Sequence, residues 1–171
     1  MNKLYGIQFK KALEGKRIVQ SQETFKIRLF LQRAENSLLT AQHLKEFEPT
    51  HEQVIKLHWN YWAITVSYYS MLYATKAALL EKGYEVHDHD AALIALAYLL
   101  VPNELEKEDL EILKQSHKIF EEEYVHSFQD AQKESHIARY SAIKTYTERR
   151  LEEIFENARK FVAKIILLLE D

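Results

Sequence analysis

Residues 136–150, HIARYSAIKTYTERR, crowd basic, hydroxyl and aromatic groups into one short window ahead of a strongly periodic apolar segment. The cations are Arg139, Lys144, Arg149 and Arg150, and the aromatic groups are Tyr140 and Tyr146. Cations near a helix start, where backbone N–H groups lack partners, favour phosphate, and tyrosine rings can stack on bases. This window therefore predicts a site for RNA or a nucleotide. The alternative is a solvated connection between helices, partly neutralised by neighbouring glutamates.

Metal and nucleophile chemistry have less support in the sequence. Glu123 and His126 form one Glu-x-x-His pair, whereas di-iron bundles use two such pairs and two further glutamates. His87 and His89 stand two residues apart and can equally cap a helix or face water. The chain has no Cys, and its three glycines are too scattered for a phosphate-binding loop. We expect no bound metal and no cofactor.

The composition favours an all-helical fold. The chain has 171 residues, of which 47% are hydrophobic, but only 3 Gly and 2 Pro, which leaves little material for hairpin turns. The absence of Cys fits a reducing cytoplasm, and the N-terminus has no long apolar run typical of a signal peptide. Residues 1–33 carry eight Lys or Arg against two Glu, which makes this part basic and the rest acidic.

Apolar periodicity predicts five main helices. They cover about 22–47, 51–82, a short segment ending before Pro102, about 106–128, and about 148 to the C-terminus. The second is apolar nearly all round, which is typical of a central helix; its polar residues argue against a membrane span. Gly83 should end this helix, and Asp88 or Asp90 should cap the next.

These elements predict an up-and-down bundle of four long helices and a short one. We expect one bundle domain over residues 21–171, preceded by a basic lead-in, residues 1–20, which can form a short helix. The apolar stripes on the second and fifth helices are wider than one neighbour requires. Because surplus apolar surface usually marks an interface, we expect a homodimer.

The segment YWAITVSYYSMLYATKAALLEKGYEVHDHDAALIAL, residues 61–96, resembles the HEPN superfamily, most closely its small stand-alone prokaryotic members. Members share a helix with paired aromatics, an A-LL run, a glycine and a His six residues later. The corresponding residues here are Tyr68, Tyr69, Ala77, Leu79, Leu80, Gly83 and His89. RAENSLLTAQHL and the region from ARYSAIKTYTERR onward resemble the first and closing helices of the family. The resemblance implies a helical bundle that dimerises through its long helices.

Active HEPN members are metal-independent ribonucleases with an Arg, four to six residues, a His, and often a Tyr two residues later. Arg139 and Tyr146 fit the Arg and Tyr positions, but Lys144 occupies the His position. Because lysine is normally protonated at neutral pH, Lys144 can bind phosphate but transfers protons poorly. His89 or His136 can replace the missing His in an active enzyme. By resemblance, the degenerate motif favours an RNA- or nucleotide-binding protein with catalysis reduced or lost.

The resemblance also implies a partner. Stand-alone HEPN proteins often pair with a minimal nucleotidyltransferase in toxin–antitoxin systems, where that enzyme can modify the motif Tyr; Tyr146 would be the acceptor here. Two alternatives remain open. One is an active ribonuclease toxin that uses His89 or His136. The other is a non-catalytic protein-interaction module.

Overall fold

A computed structural model of the chain describes residues 2–48, 53–130 and 137–170, with side chains described for 3–48, 56–122 and 147–170. Within these residues the fold is a helical bundle with one small sheet. The helices are α1 (Asn2–Glu14), α2 (Phe25–Glu46), α3 (Gln53–Glu81), α4 (His89–Leu99), α5 (Lys107–Asp130) and α6 (Ile137–Glu170). The strands are β1 (Ile18–Gln20) and β2 (Tyr84–Val86). The predicted all-α fold class is confirmed.

Helix α3 is the central element, as its nearly all-round apolar character predicts. It packs against α2, α4, α5 and α6. Ala63, Ile64, Met71 and Leu79 are fully buried on it, although they point to different sides of the helix. Burying one such large aliphatic side chain stabilises the fold by about 1.5–3 kcal/mol, so α3 supplies much of the core. Among the described residues, no helix combines the length and the hydropathy that crossing a bilayer requires.

The N-terminal residues belong to the same core. Phe9 and Ala12 of α1 and Ile18 of β1 are buried with the bundle residues, and α1 packs against α4. Strand β1 pairs antiparallel with β2 in the register Ile18 to Val86. Gly83 ends α3 with a φ of 81°, a conformation that favours glycine, and leads directly into β2. The basic lead-in is thus joined to the bundle by a sheet of three-residue strands.

The largest difference from the predicted elements lies at the start of α6. The sequence predicts a connection up to about residue 147, but α6 begins at Ile137, so residues 137–150 are helical. Thr147 is buried and continues the stripe of Leu151 and Ile154 toward the N-terminus. Because threonine is polar and is common at helix N-caps, the sequence predicts a cap at this position and not a continuing apolar stripe. His136 lies outside the described residues.

Candidate functional site

Four rings from three helices meet where α3, α4 and α5 pack together. We call Tyr68, His89, His117 and Phe120 the histidine cluster. The ring centroids of His89 and His117 are 5.2 Å apart with planes inclined by 24°. Tyr68 stacks on each histidine at 5.4 Å, and Phe120 lies 4.9 Å from Tyr68. The arrangement brings two imidazoles into one aromatic stack.

Local structure fixes the position of His89. It is the first residue of α4, whose N-cap is Asp88; the Asp88 side chain accepts a hydrogen bond from the Ala91 backbone N–H at 2.8 Å. The Arg17 guanidinium in turn grips both Asp88 carboxylate oxygens, at 2.7 and 2.6 Å. This fork-to-fork geometry is the strong form of an Arg–carboxylate pair. It also holds the pKa of Asp88 below its usual value, so the cap stays ionised.

A hydrogen bond joins two members of the histidine cluster, Tyr68 and His89. The Tyr68 hydroxyl lies 2.7 Å from His89 Nδ1. Burial, with additional effects from Tyr69, Glu121 and Asp90, raises the pKa of Tyr68 well above its ordinary value, so the hydroxyl keeps its proton. If Tyr68 donates to Nδ1, the proton of neutral His89 lies on Nε2; if Nδ1–H donates to the Tyr68 oxygen instead, Nε2 is left free to accept a proton.

The surroundings of His89 favour its neutral form. Burial lowers the pKa of His89, and the nearby His117 and Lys76 lower it further, against the opposing charges of Asp88 and Glu121. A neutral imidazole near pH 7 can accept a proton, which is what a general base must do. His117 lies beside it, with Nε2 3.5 Å from a carboxylate oxygen of Glu121. The cluster therefore has the chemical groups for acid–base work.

Protonation of His89 should also weaken the fold. Because its folded pKa lies below the ordinary 6.5, the unfolded chain takes up the proton more readily as pH falls. The contribution of His89 to stability is therefore present above about pH 6.5 and is lost as pH falls toward the lowered folded pKa. The charged and titratable groups around it are Tyr68, Tyr69, Lys76, Asp88, Asp90, His117 and Glu121.

Thermal unfolding followed between about pH 7 and about pH 5 tests this behaviour. His89→Phe keeps an aromatic ring but cannot titrate, so its melting temperature should fall less on acidification than that of the wild type. His43→Phe, on the exposed side of α2, is the matched control and should keep the wild-type slope. Identical pH slopes for His89→Phe and wild type would contradict the assignment.

The cations predicted from the sequence lie on α6, and the side chains of two of them, Arg149 and Arg150, are described. Arg150 reaches Glu122 of α5 at 3.5 Å and Glu153 of its own helix at 3.4 Å. Glu122 follows His117 by five residues, which corresponds to about 7.5 Å along α5 and about 140° around it. Arg149 is exposed. The described contact thus places Arg150 against α5 at Glu122, five residues beyond His117.

The helical register of α6 relates the remaining candidates to Arg150. At about 100° per residue, positions 139, 146 and 150 fall within an arc of about 40° on one face of the helix. Position 144 lies about 140° from position 139. Arg139, Lys144 and Tyr146 are on α6, and their side chains lie outside the described residues. The backbone alone therefore groups Arg139 and Tyr146 with Arg150 and sets Lys144 apart.

Sequence reasoning did not assign chemistry to Tyr68, His117 or Arg17. His117 falls on the apolar stripe of α5, three residues before Phe120. A histidine on such a stripe is the sequence feature from which its role could have been suspected. Arg17 could not be found in this way, because its partner is 71 residues distant. Within the described residues, no three His, Asp or Glu side chains converge to hold a metal ion.

Comparison with protein families matches residues 27–168 to the HEPN domain. The chain belongs to the HEPN family. Most of the bundle, from α2 to α6, lies within the matched residues, so the resemblance carried by residues 61–96 is confirmed. No significant match was found among curated proteins, and none among solved structures. HEPN membership connects the protein with nucleotide- or RNA-related function. In this HEPN chain, the family-type residues Tyr68, Tyr69 and His89 meet in space, with the Tyr69 and His89 rings 5.9 Å apart.

Proposed function

We propose that this HEPN protein binds RNA or a nucleotide through phosphate contacts on α6, and that its nuclease motif is degenerate. The observation that carries the proposal is the register of α6, which groups positions 139, 146 and 150 on one face. Two arginines on one face can hold phosphate oxygens through several N–H donors, and a tyrosine between them offers a base a stacking surface. Lys144 occupies the motif position at which an active family member has His, but this position lies about 140° around α6 from position 139.

The proposed partner is a minimal nucleotidyltransferase, in a toxin–antitoxin-like pair in the cytoplasm, with Tyr146 as the residue that this enzyme modifies. An adjacent gene for a small nucleotidyltransferase would support the pairing. The protein itself would be a homodimer. Support for a self-association surface comes from large apolar side chains that are more than half exposed on the long helices: Phe25, Leu39, Trp62 and Leu167.

Binding of fluorescein-labelled single-stranded RNA, measured by anisotropy, tests the α6 site. Arg139→Ala and Arg150→Ala are each expected to raise Kd by about 10- to 100-fold, because a hydrogen bond to a charged group contributes about 1.5–3 kcal/mol. Each change should also reduce the slope of log Kd against log salt by about 0.7, the value for one phosphate on a single strand. Lys144→Ala should have the smaller effect, since position 144 lies off this face.

Arg159→Ala is the matched control for Arg150→Ala. Arg159 pairs with Glu156 three residues earlier, much as Arg150 pairs with Glu153, but it lies about 180° from Arg150 around α6. The control should bind like the wild type. If Arg139→Ala and Arg150→Ala bind as tightly as Arg159→Ala, the α6 face is not the phosphate site.

The histidine cluster favours a second candidate, an active metal-independent ribonuclease. In it, neutral His89 would carry its proton on Nδ1, donated to the Tyr68 hydroxyl oxygen, so that the free Nε2 takes the proton of the RNA's own 2′-hydroxyl. The adjacent His117, in its protonated form, would supply a proton to the leaving oxygen. Support comes from the lowered pKa of His89 and the 5.2 Å stacking of the two imidazoles. A panel of single-stranded RNAs incubated in EDTA separates the two candidates, because the first predicts binding without cleavage.

A further inference from the structure

A line of aromatic side chains crosses from α2 to the histidine cluster over the surface of α3. We call Phe30, Tyr73 and Tyr69 the aromatic strip. The rings of Phe30 and Tyr73 are stacked, with centroids 6.4 Å apart and planes inclined by 17°. Tyr73 lies 6.2 Å from Tyr69, which contacts His89 edge-on at 5.9 Å. All three rings of the strip are partly exposed, so the strip is a surface feature and not part of the buried core.

Two cations lie over this strip. The Arg33 guanidinium is 5.8 Å from the centre of the Tyr73 ring, and Lys76 Nζ is 5.9 Å from that of Phe30. Among the described residues, neither cation has a carboxylate within ion-pair distance. Glu85, whose charge acts on Lys76, is bonded instead to Lys26 at 3.2 Å. The strip therefore keeps two positive charges that form no direct ion pair with a carboxylate of the described residues.

The partial burial of Lys76 is a second reason why this surface favours an anionic ligand. Lys76 is partly buried, which lowers its pKa; the charge of Glu85 opposes this shift, and the nearby Arg33 adds to it. Two neighbouring cations that repel each other, one of them partly desolvated, gain from an anion placed between them. The rings beside them are apolar and flat. A ligand that matches both features carries a negative group next to a planar ring.

We propose that the aromatic strip, with Arg33 and Lys76, is a second nucleotide-binding surface, which takes a base on Phe30 and Tyr73 and its phosphate on the two cations. Stacking platforms combined with cations are the usual means of holding single-stranded nucleic acid without reading its sequence. The ligand is a nucleotide unit, either free or within an RNA strand. This surface is built from residues of α2 and α3, not of α6, and it rests only on the ligand class of the proposed function. A strand bound along it would lead to His89.

Fluorescence anisotropy tests the surface. The probes are fluorescein-labelled single-stranded oligouridine and oligoadenine of about 12 nucleotides, a length within the usual range of single-strand binding sites. Arg33→Gln should weaken binding and reduce the salt slope by about 0.7. Tyr73→Leu, which keeps an apolar side chain but removes the ring, should raise Kd by about ten-fold, since stacking on one base contributes about 1–3 kcal/mol. Competition by AMP and ATP distinguishes a free nucleotide from a strand as the source of the bound unit.

Arg28→Gln is the matched control. Arg28 is exposed on the same helix and carries the same charge, but lies about 140° around α2 from Arg33. Weaker binding by Arg33→Gln and Tyr73→Leu, with Arg28→Gln like wild type, supports the surface. Equal binding by all of these variants overturns it, and an effect of Arg139→Ala in the same assay then leaves the α6 site standing. No binding of any oligonucleotide or nucleotide overturns both.

Discussion

Tyr68→Ala is expected to lower the free energy of unfolding by about 3–5 kcal/mol, the range for removing a large aromatic side chain from a core. Tyr68 is only 1% exposed and packs on His89, His117 and Phe120 at once. The loss combines a cavity with an unpaired His89 Nδ1. Urea denaturation followed by circular dichroism measures it.

Tyr68→Phe separates the two contributions. It keeps the ring and removes only the hydroxyl that lies 2.7 Å from His89, so the expected loss is about 1 kcal/mol. Trp62→Ala, on the same helix but 54% exposed, should cost much less than Tyr68→Ala. A cost for Tyr68→Ala below about 1 kcal/mol would mean that the histidine cluster is not packed as described.

The ribonuclease candidate predicts a second large effect. In EDTA, His89→Ala should cleave single-stranded RNA about 10²–10⁴-fold more slowly than the wild type, the usual contribution of a general base. Because His89 must be neutral to accept a proton and its pKa is lowered, the wild-type rate should rise with pH through a midpoint below 6.5. Gel analysis of labelled RNA over a pH series measures both quantities.

Two controls make the result specific. His43→Ala removes an exposed histidine of α2 and should leave cleavage unchanged. Tyr68→Phe should move the pH midpoint, because it removes the hydrogen bond at His89 Nδ1, whereas a purely structural role of Tyr68 would leave the midpoint in place. Absence of wild-type cleavage across the RNA panel would eliminate the ribonuclease candidate and leave the binding function.

Local signals predicted much of the bundle. The apolar periodicity of α2 and α5 gave their ends to within a few residues, and Gly83 and Asp88 act as the helix-ending and helix-capping residues expected of them. These features depend on residues close in sequence. The predicted start of α6 was wrong. Thr147 and its polar neighbours interrupt the apolar pattern in the sequence, although Thr147 is buried against the bundle in the fold.

The site was less predictable because its parts are distant in sequence. Resemblance pointed to Tyr68, Tyr69 and His89, but no local pattern shows that His117 stacks on His89 from another helix. The sheet of three-residue strands is likewise too short to predict from periodicity, and it depends on pairing residues 18–20 with residues 84–86. The α6 cations stay a prediction.

The clamp of Arg17 on Asp88 has a practical consequence for anyone working with this domain. Family similarity begins at residue 27, after both α1 and β1. Yet Ile18 fills the interior, and Arg17 steadies the turn that presents His89. The matched range therefore leaves out side chains that pack into the bundle, and a chain trimmed to residues 27–168 would lose the Arg17 contact that supports the N-cap of α4 next to His89.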